Sequence, residues 1–204
     1  MPLSFNPDHR VDTWEVRKIA VVGPGIVGMP MAALLAHARI CEGSDTPARV
    51  TVIQRNSETS GWKVDAINAG RSPIGGVEPD LDRVVAESAA AGLLDASHDY
   101  TAARDADVIL ICTQTDKRGM APDYGPLTEA LEGIASQLAR RPAGNVPLIV
   151  FESTLAPSSM ATVVRDLFAR HGLVEGRDVL LGNSPNRVMP GRLVERVASS
   201  DKLV

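Results

Sequence analysis

Short apolar runs, each closed by a polar or glycine-rich turn, alternate along this chain with longer stretches whose apolar residues recur at helical spacing. Ile19-Ala20-Val21-Val22 has the length and β-branched content of a buried strand, and a helix-compatible stretch from Met29 to Ala38 follows. Val50-Thr51-Val52-Ile53 predicts a second strand beyond a long loop at residues 39–49. Residues 57–69 predict a helix with Trp62, Val64, Ala66 and Ile67 as its apolar contacts, despite Gly61. Residues 70–79 are turn-rich, and Leu81, Val84, Val85, Ala89 and Leu93 place a helix over residues 80–94. After Asp107, Val108-Ile109-Leu110-Ile111-Cys112 is the clearest buried strand, and a polar loop runs from 113 to 126. Leu127, Leu131, Ile134 and Leu138 then share one helical stripe. Residues 146–151 predict a further strand, and Val163, Val164, Leu167, Phe168 and His171 the next helix. Val179-Leu180-Leu181 is the last strand, and residues 1–16, polar and proline-containing, form an N-terminal arm.

Strands that alternate with helices imply a parallel sheet covered on both faces and joined by right-handed crossovers. In such sheets ligands sit at the carboxyl ends of the strands, near the point where the strand order reverses. The segments that follow the strands, 23–28, 54–56, 113–116, 152–154 and 183–186, hold glycine, amide, hydroxyl and charged residues facing one crevice. One of them has a recognised chemistry. Gly23-Pro24-Gly25-Ile26-Val27-Gly28 is G-x-G-x-x-G, set between the first strand and the first helix. Gly23 permits the tight turn, Gly25 lets a pyrophosphate approach the backbone, and Gly28 lets the helix pack closely on the strand. The helix N-terminus offers unpaired N–H groups to the phosphates, and Pro30 lies in the first turn, where its missing N–H is not needed.

The 204 residues suit one large domain or one domain with an appendage, and 44% hydrophobic with 23% charged content is ordinary for a soluble globular chain. A net charge of −4 with interspersed signs, and only 3% aromatic residues, argue against a nucleic-acid partner. No run approaches the ~18 apolar residues of a membrane span, and the N-terminus lacks a basic region followed by an apolar one. Cys41 and Cys112 have neither metal-ligand spacing nor a disulfide framework. A cytoplasmic protein with reduced thiols and no metal site is expected. His9, His37, His98 and His171 are scattered and read as structural or exposed.

The ordered motifs resemble the N-terminal NAD-binding domain of the UDP-glucose/GDP-mannose dehydrogenase family over residues 17–204. KIAVVGPGIVGMPMA is similar to the family's opening strand, glycine loop and helix. Asn68-Ala69-Gly70, Ser72-Pro73-Ile74 and Glu78-Pro79-Asp80-Leu81 resemble its N-x-G…P-I…E-P-G-L segment. Asp107 to Cys112 with Thr113-Gln114-Thr115-Asp116 stands where the family has I-C-V-x-T-P, and Pro122-Asp123 precedes the next helix. Glu152-Ser153-Thr154 with Pro157, Ser184-Pro185-Asn186-Arg187-Val188-Met189-Pro190-Gly191 and Asp201-Lys202-Leu203-Val204 resemble E-S-T-x-x-P, S-P-E-R-x-x-P-G and D-R-x-V. The fold so implied is α/β, a Rossmann-type doubly wound, mostly parallel six-stranded sheet with helices on both faces, although the pattern itself places five strands.

The resemblance implies oxidation of the C6 alcohol of a nucleotide-linked sugar to the uronic acid with two NAD⁺. In the family a downstream cysteine captures the aldehyde, a thioester is hydrolysed, and a lysine and an asparagine stabilise the reacting oxygen. The cysteine, the lysine and the substrate domains lie in segments that these 204 residues do not contain. Cys112, at the end of a core strand, reads as a small buried hydrophobe rather than a substitute. The expected piece is therefore inactive alone, with its nucleotide-sugar substrate held mainly by other domains. The family often dimerises through a connecting helix outside these residues, so a monomer is compatible with this piece. The implied cofactor-binding set is Gly23, Pro24, Gly25, Ile26, Val27, Gly28, Gln54, Arg55, Thr113, Gln114, Thr115, Ser153 and Thr154, and Thr154 and Asn186 are the catalytic candidates.

Three positions depart from the family pattern. Gln54 replaces the acidic residue that binds the adenosine ribose, and it lies further beyond Gly28 than the usual ~20 residues. A glutamine can still bond a hydroxyl but does not repel a 2′-phosphate, and Arg55 offers a positive charge, which leaves NADP open beside NAD. The other reading has Gln54 on the ribose and Arg55 in solvent. Asn186 replaces a glutamate associated with water handling; an amide can position water but cannot take its proton. Asp116 replaces a proline, which alters loop rigidity more than chemistry. Thr154 matches a threonine that orders water beside the nicotinamide, while Ser153 and Thr154 serve equally as caps for a helix starting near Pro157. Two other functions share these features: a hydroxy-acid dehydrogenase, against which E-S-T and S-P-N-R-V-M-P-G speak, and a stand-alone dinucleotide-binding or sensing module without catalysis.

Overall fold

A computed structural model gives the structure of the chain over residues 15–142, 146–186 and 188–200. Residues 1–14 of the expected arm, Arg187 and the motif at residues 201–204 lie outside the described residues. Val16 is buried at 4% exposure and donates its N–H to the Glu42 carbonyl, so the packed structure already includes the last residue assigned to the arm.

In chain order the strands are β1 (Lys18–Val22), β2 (Arg49–Ile53), β3 (Leu94–Ser97), β4 (Val108–Ile111), β5 (Asp116–Arg118), β6 (Ala121–Asp123), β7 (Leu148–Phe151) and β8 (Leu180–Asn183). The helices are α1 (Gly28–His37), α2 (Trp62–Asn68), α3 (Leu81–Ala90), α4 (Thr101–Arg104), α5 (Gly125–Leu138), α6 (Arg165–Arg170) and α7 (Leu193–Ser199). Six strands form one sheet in the order β3-β2-β1-β4-β7-β8, and every pairing is parallel. This is the doubly wound order, with its reversal between β1 and β4.

Strand period sends alternate residues to opposite faces, and both faces are covered. Ile19 and Val21 join Met29, Ala32, Ala33 and Ala36 of α1 and the apolar stripes of α2 and α3 in one core. Ala20, Val22, Ile109 and Ile111 join Leu127, Leu131, Ile134 and Leu138 of α5 with Leu167 and Phe168 of α6 in the other. Leu127, Leu131, Ile134 and Leu138 of α5 are buried as the hydrophobic pattern predicts. Trp62, expected among the apolar contacts of its helix, is instead 53% exposed and donates its indole N–H to the Thr59 carbonyl. In α3 Ser88 is buried where Ala89 was expected.

The differences are local and have local causes. The helix expected over 80–94 ends at Ala90, because Gly92 takes φ 69° and its N–H and that of Leu93 return to the Ala89 and Ser88 carbonyls. Leu94–Ser97 is thereby freed as the sixth strand, with Leu94 and Ala96 buried and Asp95 and Ser97 half-buried. Residues 57–61 form a turn instead of helix, since the Gly61 N–H closes on the Ser57 carbonyl at 2.8 Å. A side chain at Gly61 would meet that same oxygen at 2.8 Å. The loop expected from 113 to 126 contains the β5–β6 hairpin, α5 starts at Gly125 with Pro126 in its first turn, and a π-helical turn at Met160–Val164 leads into α6. Neither α4 nor α7 is foreseen in the pattern. Asp80 stands at left-handed φ 65°, where the resembled segment has glycine, and Arg83 holds its carboxylate at 3.0 Å.

Two contacts fix the edges of β1. At its carboxyl end Gly23 takes φ 93°, and α1 starts so close that a Cβ on Gly28 would lie 2.1 Å from the Gly23 carbonyl oxygen and 2.9 Å from the Cys112 Cβ. At its amino end the buried Asp107 accepts the N–H groups of Arg17 at 2.8 Å and Lys18 at 3.0 Å, and pairs with Arg141 at 3.5 Å. Arg141 also donates to the Arg104 and Ala106 carbonyls. Gly28→Ala is expected to cost about 1–3 kcal/mol, the range for overpacking, because the obstructing atom is backbone. Asp107→Ala is expected to cost about 1–3 kcal/mol by leaving two amide donors and Arg141 without their acceptor, with Asp107→Asn intermediate since its amide nitrogen turns toward the guanidinium. Urea unfolding midpoints measure both; an unchanged midpoint for either alanine variant contradicts the packing described.

Candidate functional site

Parallel strands deliver their loops to one edge, and at the carboxyl edge of this sheet those loops enclose a cleft of ≈ 750 Å³. It runs from the end of β2 across the β1–α1 turn to the ends of β4, β7 and β8. Of the sequence-predicted residues, Gly23, Pro24, Gly25, Ile26, Val27, Gln54, Arg55, Thr113, Gln114, Thr115, Ser153, Thr154 and Asn186 all line it. Gly28 does not; it sits behind the turn, in contact with Gly23 and Cys112.

The turn is built for close approach. The space where a Cβ on Gly25 would stand is empty to 4 Å, so a ligand can reach the backbone there. Gly25 N–H closes on the Gly23 carbonyl at 2.9 Å, and Met29 N–H closes on that of Gly25 at 3.0 Å. Among the described residues the N–H groups of Ile26 and Val27 donate to no backbone carbonyl, which leaves them and the positive end of α1 to an anion.

On the far side the loops are stitched together. Ser153, buried at 7% exposure, donates to the Thr113 carbonyl at 2.6 Å, and the Thr115 hydroxyl donates to the Thr154 carbonyl at 2.8 Å. The Thr113 hydroxyl oxygen is buried without a hydrogen-bond partner among the described residues, a polar atom on the cleft wall that a ligand can satisfy. Asn186 donates its side-chain amide to the buried Glu152 carboxylate at 2.9 Å, and its backbone N–H to the Glu152 carbonyl at 3.2 Å. Ser153 and Thr154 do not cap the following helix. Its start is held by the Tyr124 hydroxyl, which accepts the Ala156 N–H at 2.8 Å and lies 2.9 Å from Ser159 Oγ.

Cys112 follows β4 instead of ending it. It is half-buried against the α1 side of the core and lines the cleft. His171 lies 2.5 Å from Glu132, which it and Arg170 hold below the usual carboxylate range, on the surface away from the cleft. His98 Nδ1 is 2.8 Å from the Gln54 carbonyl.

Arg55 is not free in solvent: it pairs with Glu129 of α5 at 2.6 Å, across the cleft mouth. Sequence reasoning missed Ser60, Lys63, Tyr100 and Glu129, which also line the cleft, as does Glu152 of the segment 152–154 that it placed at the crevice. Tyr100 packs under Gly133, and burial, then the charge of Glu129, raises its phenol above the ordinary value. Lys63 donates to the Pro24 carbonyl at 3.3 Å, and burial depresses its ammonium below the usual lysine value. One signal for Lys63 exists in the sequence: a helix that directly follows β2 brings its first turn back over the same edge. Among the described residues no group of three His, Cys, Asp or Glu side chains is placed to hold a metal ion, and no helix is long and apolar enough to cross a membrane.

Residues 17–204 match the family model described as UDP-glucose/GDP-mannose dehydrogenase family, NAD binding domain. The UDP-N-acetyl-D-mannosamine dehydrogenase of Pyrococcus horikoshii is 30% identical over 187 residues, which cover 92% of this chain and 40% of that protein. The enzyme of the same name from Escherichia coli K12 is 30% identical over 194 residues, covering 91% and 41%. Among solved structures, the NDP-N-acetyl-D-galactosaminuronic acid dehydrogenase of Methanosarcina mazei Go1 superposes with a TM-score of 0.80 at 30% identity, over 92% of this chain and 38% of that one. A ternary complex of GDP-mannose dehydrogenase from Pseudomonas aeruginosa gives 0.74 at 27% identity, over 87% and 38%. The chain thus spans about 40% of the length of the curated relatives it matches. The strand order, the open glycine turn and this match agree: the chain belongs to the UDP-glucose/GDP-mannose dehydrogenase family, as its NAD binding domain.

Proposed function

We propose that residues 17–204 act as one domain that holds NAD across the carboxyl edge of the sheet and presents it to a nucleotide-linked sugar bound mainly by other parts of the enzyme. The observation that carries this is the turn at residues 23–28: bare backbone at Gly25, amides of Ile26 and Val27 without backbone acceptors, and a helix start directly behind them. The pyrophosphate rests on those amides, with Pro24 shaping the turn, and Gln54 and Arg55 flank the adenosine ribose at the end of β2. Thr113, Gln114, Thr115, Ser153 and Thr154 line the nicotinamide half, where the unpartnered Thr113 hydroxyl is a ready contact. Bound NAD⁺ supplies the hydride acceptor for oxidation of the sugar alcohol.

Thr154 and Asn186 stand at that end of the cleft as the groups that order water beside the reacting carbon. Asn186 cannot take a proton from water near neutral pH. Its amide instead holds the buried Glu152 carboxylate, which would face a second carboxylate if a glutamate stood at 186. Glutamine at position 54 leaves NADP as a second cofactor. The relatives are named as dehydrogenases, which favours this function over a sensing module.

Isothermal titration of the purified 204-residue chain is expected to show saturable binding of NAD⁺ at one site. Incubation with NAD⁺ and a panel of UDP- and GDP-linked sugars is expected to give no rise in NADH absorbance. Failure to bind either nicotinamide dinucleotide sinks the cofactor assignment, and uronic acid formed by these residues alone sinks the claim that other domains are required.

A further inference from the structure

The carboxylate that lines the β2 end of the cleft, Glu129 of α5, is paired with Arg55. At the end of β2 itself the ribose position holds an amide, not the carboxylate that accepts a 2′-hydroxyl and repels a 2′-phosphate. Gln54 stands there, and its Nε2 donates to Ser60 Oγ at 2.9 Å and to the Arg55 carbonyl at 3.1 Å. The Ser57 and Ser60 hydroxyl oxygens are 2.6 Å apart, so one of their two protons lies between them. Whichever residue keeps the other proton has a donor to spare. One turn on, Lys63 reaches back to the Pro24 carbonyl of the glycine turn at 3.3 Å. It forms no ion pair among the described residues, and withdrawal from water is the sole influence that lowers its ammonium. An ammonium partly stripped of water, with no countercharge, is stabilised by any anion brought beside it. Arg55, the cation that the sequence offers first, is already neutralised by Glu129 at 2.6 Å.

A neutral amide, a spare hydroxyl donor and an uncompensated ammonium therefore converge between the glycine turn and the end of β2, beside the position of the adenosine ribose. Their chemistry suits a phosphate monoester, a dianion with several acceptor oxygens. We propose that Ser60 and Lys63, beside a Gln54 whose amide donors are spent but which brings no negative charge, form a subsite for a ribose 2′-phosphate, so that the cleft takes NADP as well as NAD. The subsite rests on the dinucleotide assignment above.

Titration calorimetry of NAD⁺ and NADP⁺ against the 204-residue chain and two variants tests it. The wild-type chain is expected to bind the two cofactors within about tenfold of each other. Lys63→Met, which keeps the aliphatic stem, is expected to weaken NADP⁺ at least about tenfold more than NAD⁺, the worth of one charge-assisted hydrogen bond. Gln54→Asp is expected to raise the ratio of the NADP⁺ to the NAD⁺ dissociation constant by about tenfold or more, through repulsion of the 2′-phosphate, whatever its effect on NAD⁺ alone. Circular dichroism reports an intact fold for that variant, and an unchanged ratio overturns the subsite. Binding of NAD⁺ to the wild type more than about tenfold tighter than NADP⁺ overturns the subsite and leaves the NAD assignment standing. Equal weakening of both cofactors by Lys63→Met also overturns it, placing the lysine on the shared pyrophosphate. Binding of neither cofactor overturns the dinucleotide assignment, and the subsite falls with it.

Discussion

The space between β1, β4 and the start of α1 is the constraint from which the rest of this structure follows. A helix set so that a methyl group on its first residue would strike the Gly23 carbonyl at 2.1 Å can exist only where the chain is bare. Gly23 turns with φ 93°, Gly28 makes the close approach, and Gly25 is left facing open space. The small residues Ala32, Ala33 and Ala36 continue that closeness along α1, each fully buried. Because α1 cannot stand further off, its amino end is aimed at the cleft, and its dipole and unpaired amides become the anion site.

Polar contacts at the two ends of the sheet do different work. At the amino end Asp107, Arg141 and the backbone of residues 17 and 18 close a buried network far from the cleft, which is structural. At the carboxyl end the bonds run from loop to loop: Ser153 to Thr113, Thr115 to Thr154, Asn186 to Glu152. Such bonds fix the cleft wall while, among the described residues, the Thr113 hydroxyl has no hydrogen-bond partner and Lys63 at the other end meets only the Pro24 carbonyl and no carboxylate. A cleft whose walls are stitched together and whose ligand-facing groups are unsatisfied is preorganised for a polar ligand with charge along its length.

Asn186 and Gln54 share one consequence. Each is a neutral amide where the resembled family carries an acid, and each donates to a neighbour: Glu152 in one case, Ser60 in the other. An acid at either position would have no proton to give those partners near neutral pH. The amides therefore fit their immediate surroundings.

The sequence alone determined the fold class, both faces of the core and the glycine turn, because each of these depends on period and on residues adjacent in the chain. Ile19 and Val21 against Ala20 and Val22 follow from strand period, and Leu127, Leu131, Ile134 and Leu138 from helix period. Leu94–Ser97 was hidden because Leu93 and Leu94 continue a helical stripe, and only the left-handed turn at Gly92 with the open edge of β2 makes a strand of it. The hairpin at residues 116–123 has no apolar alternation to announce it: all three residues of its first strand are exposed. Pairing across the cleft was decided by tertiary structure alone. That Arg55 meets Glu129, 74 residues away, while Lys63 meets no acid among the described residues, follows from where α5 and α2 cross the sheet edge. Local periodicity carries no information on that distance, so the charge of the adenosine end became legible only once the chain was folded.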